Sequence, residues 1–292
     1  MDGSSAGSKN SKAILTMCVG VVLLVANDAI AKGLVVRFDP FQILFVRSLI
    51  ALPFVAALAI WSAGNSSGLR SGRPWVHVLR ALLAVAATYL FIRSLETLPL
   101  AEATALIFTA PIFVAALSVP LLGQKVTGLR LIALMCGFVG AIVAVKPGAE
   151  TIQAASFLAL GAALLHALVM MSARWIDARD NFWTMTFYMT LLSALLCCFT
   201  LTFDWPDITA VDASSFSAMA IAGTCGIALI THAFRIGEAA AVAPFDYTAL
   251  IWASIIGWIA WGVVPGWSVY LGAFIIIAGG LTLIILDARQ GQ

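Results

Sequence analysis

Charge is what this chain has least of: 16 Lys and Arg and 14 Asp and Glu among 292 residues, or 10%, against roughly 25% in soluble domains. With 62% hydrophobic residues and a mean hydropathy of +1.04, that deficit excludes a soluble domain and indicates an integral membrane protein. No lysine-rich or arginine-rich run accompanies the net charge of +2, which removes nucleic acid as a partner. Five cysteines, Cys18, Cys136, Cys197, Cys198 and Cys225, lie inside apolar stretches without metal-ligand spacing, so neither a disulfide framework nor a zinc site is expected. Also missing is the Gly-x-x-x-x-Gly-Lys-Ser/Thr loop that an ATP-driven pump needs. There is no His-Glu-x-x-His, no suggestive serine and histidine spacing, and no close carboxylate pair within a span, so an intramembrane enzyme or a scaffold is only a minor alternative. No cofactor is expected.

What is there is a series of apolar windows of about 20 residues, the length that crosses a hydrocarbon core of roughly 30 Å. Ten fit, at about 13–36, 41–62, 75–96, 99–122, 127–146, 153–176, 182–203, 213–236, 239–263 and 266–287, with breaks such as Asp39-Pro40, Lys146-Pro147-Gly148 and Pro265-Gly266. The fold class is therefore all-α integral membrane. Residues 1–12 are polar and read as a flexible cytoplasmic N-terminus. Ala29 to Ala31 resembles a signal cleavage site, but the apolar run before it is too long and Asp28 sits beside the supposed cut. With both termini inside, eleven of the sixteen Lys and Arg fall on the cytoplasmic side and five, Lys32, Arg37, Arg47, Arg93 and Lys146, in the outer half.

The chain also repeats itself at an offset of 142. "RSLETLPLAEATALIFTAP" from Arg93 lies over "RIGEAAAVAPFDYTALIWA" from Arg235, pairing Arg93 with Arg235 and Glu96 with Glu238. The same shift pairs Asp39-Pro40-Phe41 with Asn181-Phe182-Trp183, Phe45 with Phe187, and Gly137 with Gly279. Each unit, 13–147 and 153–288, holds five spans, an odd number, so the second enters the membrane from the opposite face. Inverted repeats of this kind move a substrate past a site near the bilayer midplane. The bland reading is a duplication that only enlarges a bundle.

Three features carry a family resemblance: "DPFQILFVRSLIALP", "LRALLAVAATYLFIRSLETLPLAEATALIFTAPIF" and the glycine-bearing helices ending each half. They resemble the ten-helix drug/metabolite transporter superfamily of the EamA type over about residues 13–287. The resemblance implies a bundle of ten transmembrane helices as a 5+5 inverted-topology repeat with a central cavity. It also implies small-metabolite substrates such as amino acids, and a bacterial-type inner membrane location. One departure stands out: the Gly-Glu pair frequent near the end of the fourth and ninth helices reads Gly123-Gln124 and Gly262-Val263 here, so that glutamate's role is not carried over.

Ionisable groups inside a membrane normally face a wet cavity or a partner. Asp246 is one, and its repeat mate is Thr104; pseudo-symmetry brings Thr104, Phe108, Asp246 and Leu250 toward a common centre. Asp28, beside Asn27, lies about eight residues before the end of the first span, and Arg47 lies about six residues into the second, at nearly the same depth. That pair either fixes the first two helices together or serves binding and gating. His166, near Met170 (the mate of Asp28), is a hydrogen-bonded packing element, a cavity liner or a proton carrier. Tyr89 offers a hydroxyl on an apolar span, and Trp252 follows Asp246 by six residues and reads as a deeper tryptophan than the interface anchors. His77 and His232 are expected to snorkel at helix ends. Arg93 with Glu96 and Arg235 with Glu238 are gating candidates, or simple helix-end charges in water. Ala133, Gly137 and Ala141 would let the fifth span approach the tenth closely, as scaffold or dimer contact, and a monomer and a homodimer both fit.

The expected activity is alternating-access export of amino acids, aromatic or otherwise apolar, because few charges lie at the midplane and a polyanion would need clustered Lys and Arg. The runner-up is uptake of a related metabolite such as a methionine derivative.

Overall fold

The computed structural model describes residues 3–64, 69–110, 112–114, 116–117, 135, 139–140, 142–143, 154–172, 175–177, 179–236 and 243–290. Among them the regular elements are helices: α1 (Gly3–Leu34), α2 (Pro40–Ala63), α3 (Pro74–Leu95), α4 (Leu100–Ile107), α5 (Ala154–Ser172), α6 (Phe182–Cys197), α7 (Ala210–Ile236), α8 (Ala249–Trp261) and α9 (Trp267–Gln290). Two 3-10 helices join them, Cys198–Thr202 after α6 and Ala243–Thr248 before α8. Among the described residues, six stretches are long and apolar enough to cross a membrane: Ser11–Leu34, Pro40–Ala63, Pro74–Leu95, Ala154–Ser172, Phe182–Thr202 and Ala210–Ala233. The expected fifth span, and with it Ala133, Gly137 and Ala141, lies almost wholly outside the described residues.

The helices start where the local chemistry says they should. Asp39 accepts from Phe41 N at 2.9 Å while Gln42 closes the capping box onto Asp39 N at 3.0 Å, and Pro40 occupies the first turn, where a missing N–H costs nothing. Asn181, the repeat mate of Asp39, caps α6 in the same way by accepting from Thr184 N at 2.9 Å. Gly64 and Gly262 end α2 and α8 with φ of 73° and 66°, a left-handed turn that glycine adopts without a Cβ clash.

Helix α1 packs most extensively on α7, and α3 on α5 and α2 on α6 follow. The first crossing is backbone on backbone: a Cβ on Gly20 would stand 3.0 Å from Gly226 O, and one on Gly226 3.0 Å from Gly20 O. Close approach also occurs between the expected fifth and tenth spans, at Gly140, where a Cβ would stand 2.8 Å from Gly272 O in α9. One core joins α1, α4 and α8 through Met17, Val21, Leu106 and Ala253; another gathers Phe38, Ile43, Ile92 and Phe216 where α1 and α3 end.

Two expected spans differ in kind from the rest. The fourth, expected unbroken over 99–122, turns at Phe108 and Thr109 before helix resumes at Ala110. Pro111 accounts for this in chemical terms, since it has no N–H to return to the carbonyl of Ile107. The ninth, expected over 239–263, is α-helical only from Ala249, with Asp246 in the 3-10 turn ahead of it. The two spans are repeat mates, but their irregular stretches are not in register, since Phe108 pairs with Leu250 inside α8 and the 3-10 turn pairs with residues 101–106 inside α4; both stretches border the same space.

Candidate functional site

That space is a cavity of about 370 Å³ walled by α1, α2, α3, α4, α5, α7 and the 3-10 turn before α8, within the size range of small-molecule sites. Its polar lining is Asn27, Asp28, Arg47, Thr88, Thr104, His166 and Asp246, and Phe91 and Phe108 add flat apolar faces. Two carboxylates and one guanidinium thus share one chamber inside an otherwise apolar bundle. Burying charge in hydrocarbon is costly, so such groups persist where water or a ligand reaches them.

The charges are not consumed by one another. Asp28 and Arg47 act on each other electrostatically, but no ion pair closes between them among the described residues. Asn27 Nδ2 donates to Asp28 Oδ1 at 2.9 Å, which holds that carboxylate in place, and Asn27 Oδ1 is buried with no partner. Asn27 and Arg47 both rest against Gly223 of α7: a Cβ there would stand 2.8 Å from Asn27 Oδ1 and 2.8 Å from the Arg47 guanidinium. Thr104 returns its hydroxyl to Leu100 O at 2.8 Å, whereas Asp246 stays open to the cavity beside Tyr247, whose ring meets Phe108 edge-on at 5.1 Å.

Four residues expected on the cavity do not line it. Tyr89 stacks on Phe41 with ring centroids 4.3 Å apart, and its neighbour Thr88 takes the cavity position. Met170 is 53% exposed one helical turn beyond His166. Leu250 is buried in the apolar core, and Trp252 packs against that core. Arg93 and Glu96 do pair, at 2.5 Å on a surface that leaves the arginine 46% exposed. Of their mates, Glu238 lies outside the described residues, and for Arg235 only the backbone is described, as part of α7.

Polar ties that the sequence reading missed hold each end of the bundle. At the end where α1 and α3 finish, Lys32 donates to Leu95 O at 2.5 Å and Leu98 O at 2.7 Å, and its ammonium lies 5.7 Å from the Trp261 ring centroid. There too Arg37 bridges Asp212 at 2.5 Å. At the opposite end His77 does not snorkel; it is buried, shares Nε2 with Asp180 (2.9 Å) and Ser71 (3.0 Å), and stacks on Tyr188 at 4.6 Å. Arg80 reaches Val169 O at 2.7 Å and Ser172 Oγ at 3.2 Å, tying α3 to α5. A partner-seeking polar group 63 to 175 residues from its acceptor leaves no local signal, which is why spacing did not reveal these ties.

The description of the EamA-like transporter family matches residues 11–146 and again 153–285. An S-adenosylmethionine uptake transporter of Rickettsia bellii is 27% identical over 268 residues, covering 90% of each chain. A riboflavin transporter of Vibrio cholerae serotype O1 is 30% identical over 237 residues, 80% of this chain and 77% of that one. A second riboflavin transporter, of Brucella anthropi, is 29% identical over 258 residues, covering 86% and 89%. A solved crystal structure superimposes with a TM-score of 0.62 over 97% of this chain and 99% of the other, at 18% identity, and so shares the fold.

Proposed function

The chain belongs to the EamA-like transporter family, multi-pass membrane proteins that move small metabolites, and on that premise we propose that it takes up a methionine derivative of the S-adenosylmethionine type by alternating access. The observation that carries the reading is the set of charges in the cavity. Asp28, Asp246 and Arg47 line one chamber. A sulfonium amino acid has two cationic centres, its sulfonium and its ammonium, and one carboxylate, which is the complementary set. Phe91 and Phe108 offer faces on which an adenine ring can stack.

Export of aromatic or apolar amino acids fits less well. A plain zwitterion leaves one carboxylate unanswered, and the relatives above are named for S-adenosylmethionine uptake and riboflavin transport. Riboflavin is the second reading, favoured by the same aromatic faces; a flavin, however, has no cation to meet two carboxylates.

The working architecture is the 5+5 inverted repeat. It is supported by the two successive family matches and by the way helix contacts obey the 142-residue shift. The shift carries the α1–α7 pair onto α5–α3 and the α2–α6 pair onto itself, and these are the three most extensive helix contacts among the described residues. The two broken helices, repeat mates at Thr104 and Asp246, are the kind of discontinuous spans that hold substrate in inverted-repeat transporters. Both termini are cytoplasmic in this reading. That sets the Lys32 and Arg37 ties on the outer side and the His77 and Asp180 cluster on the inner side, each a contact that must open in turn for a substrate to pass.

The test is counterflow in proteoliposomes preloaded with S-adenosylmethionine, with riboflavin or with an amino-acid mixture. Saturable exchange of labelled S-adenosylmethionine, competed by other sulfonium amino acids, is expected. Exchange of riboflavin alone would transfer the assignment to flavins, and exchange of amino acids alone would restore the export reading.

A further inference from the structure

Beside the main cavity is a second compartment of about 250 Å³ between α2, α3, α5, α6 and α7. Arg47, Thr88, His166 and Ile227 line both spaces and so form a wall that the two share. Their chemistry differs. No carboxylate and no aromatic ring other than His166 lines the second space; hydroxyls do, from Ser48, Thr88, Thr190, Ser193 and Thr224, with Thr186 completing a stripe at i, i+4 and i+7 along α6.

In a membrane helix a Ser or Thr hydroxyl ordinarily donates to the carbonyl three or four residues back, because hydrocarbon offers it nothing else. Thr186 does this to Phe182 O at 2.9 Å, Thr231 to Ile227 O at 2.8 Å and Ser254 to Leu250 O at 2.8 Å. Ser48, Thr88, Thr190, Ser193 and Thr224 do not, and none of the five has a hydrogen-bond partner among the described residues. Five unpaired hydroxyls from α2, α3, α6 and α7 converge on one space at mid-depth of the bundle. Their natural complement is a ligand group that is itself rich in hydroxyls, donating to some and accepting from others. Water alone would fill the space but would not require hydroxyls drawn from four helices to give up their backbone bonds together.

We propose that this compartment is a polyol subsite. It receives the sugar-like part of the substrate, the ribose of a nucleoside sulfonium or the ribityl chain of a flavin, while the main cavity holds the charged and planar parts. The inference rests on the transport reading above and adds to it a place for a second chemical group, besides the planar ring, that both candidate substrates share. Arg47 and His166, on the shared wall, lie at the junction between the sugar-like part and the rest.

The test compares probes that differ only in bearing a polyol: S-adenosylmethionine with its 2′,3′-dideoxyribose analogue, and riboflavin with lumiflavin. Binding and counterflow are measured for the wild type and for Thr190→Val/Ser193→Ala, which removes two hydroxyls with little change of shape. The expected result is a loss of roughly fivefold or more in apparent affinity for the polyol-bearing member of the pair that is bound, with its partner unchanged. Equal loss for both members, or no loss for either, would overturn the subsite while leaving the transport reading intact. A wild type that binds none of the four would overturn both. Should the α6 variant not insert, Thr224→Val on α7 makes the same comparison from another helix.

Discussion

Gly223 governs two side chains that it does not bond. Its missing Cβ leaves room for the Arg47 guanidinium and for Asn27 Oδ1 to lie against α7, and both atoms are the free ends of flexible side chains. Gly223→Ala should therefore leave thermal stability within about 1 kcal/mol, because the displaced atoms can swing aside. Apparent affinity for substrate should fall several-fold, since both groups leave their cavity positions; unchanged uptake kinetics would detach them from the site. Asp246→Asn tests the charge directly. The neutral amide keeps the shape and still allows insertion, but it removes the second carboxylate; uptake should drop at least tenfold at limiting substrate, the size of about 1.4 kcal/mol. Wild-type uptake by a well-expressed variant would return Asp246 to a packing role. Asp28, Arg47, His166 and Asp246 were legible in the sequence because an ionisable residue in an apolar run is conspicuous. The choice of Tyr89 over Thr88 was not, because adjacent helical positions differ by a rotation of about 100° that only packing against Phe41 decides.

Among elements, the close crossing of α1 and α7 contrasts with Gly223 on the same helix. At Gly226 a Cβ would meet the Gly20 carbonyl at 3.0 Å as well as Leu24, and a backbone oxygen cannot swing aside. Gly226→Val is accordingly expected to force the helices apart at a cost of about 1–3 kcal/mol, read as a lowered unfolding temperature in detergent. An unchanged temperature would mean that the crossing adjusts freely. The long spans α1, α2, α3, α6 and α7 were recoverable from hydropathy and from the Asp39 and Asn181 caps, since a twenty-residue apolar run has few alternatives in a membrane. The breaks at Phe108 and Asp246 were not, because hydropathy averages over a window wider than one turn and is blind to a missing backbone bond. The offset of 142 did point to these two helices as a pair, although their irregularity is visible only in the backbone.

At the scale of the whole molecule, the proposed inverted repeat makes a prediction about sidedness. The loop at Arg179, whose side chain is 90% exposed, and the exposed loop at Asp207 should lie on opposite faces of the membrane. In intact cells an impermeant maleimide should label Asp207→Cys, while Arg179→Cys should need permeabilisation; the reverse pattern would invert the assignment of both termini. The polar ties at the two ends escaped the sequence reading because they join residues remote in the chain, as His77 and Asp180 are, and such pairings exist only once the helices are assembled. The cavity between those ends has one more consequence. A chamber of about 370 Å³ lined by two carboxylates, a guanidinium and an amide with an unpaired oxygen cannot be dry when no substrate is in it. At roughly 30 Å³ per molecule it holds on the order of ten waters. Under the proposed alternating access, an empty protein that changes its facing ferries a small parcel of solvent, so turnover without cargo should register as a faint osmotic permeability of the membrane that carries it.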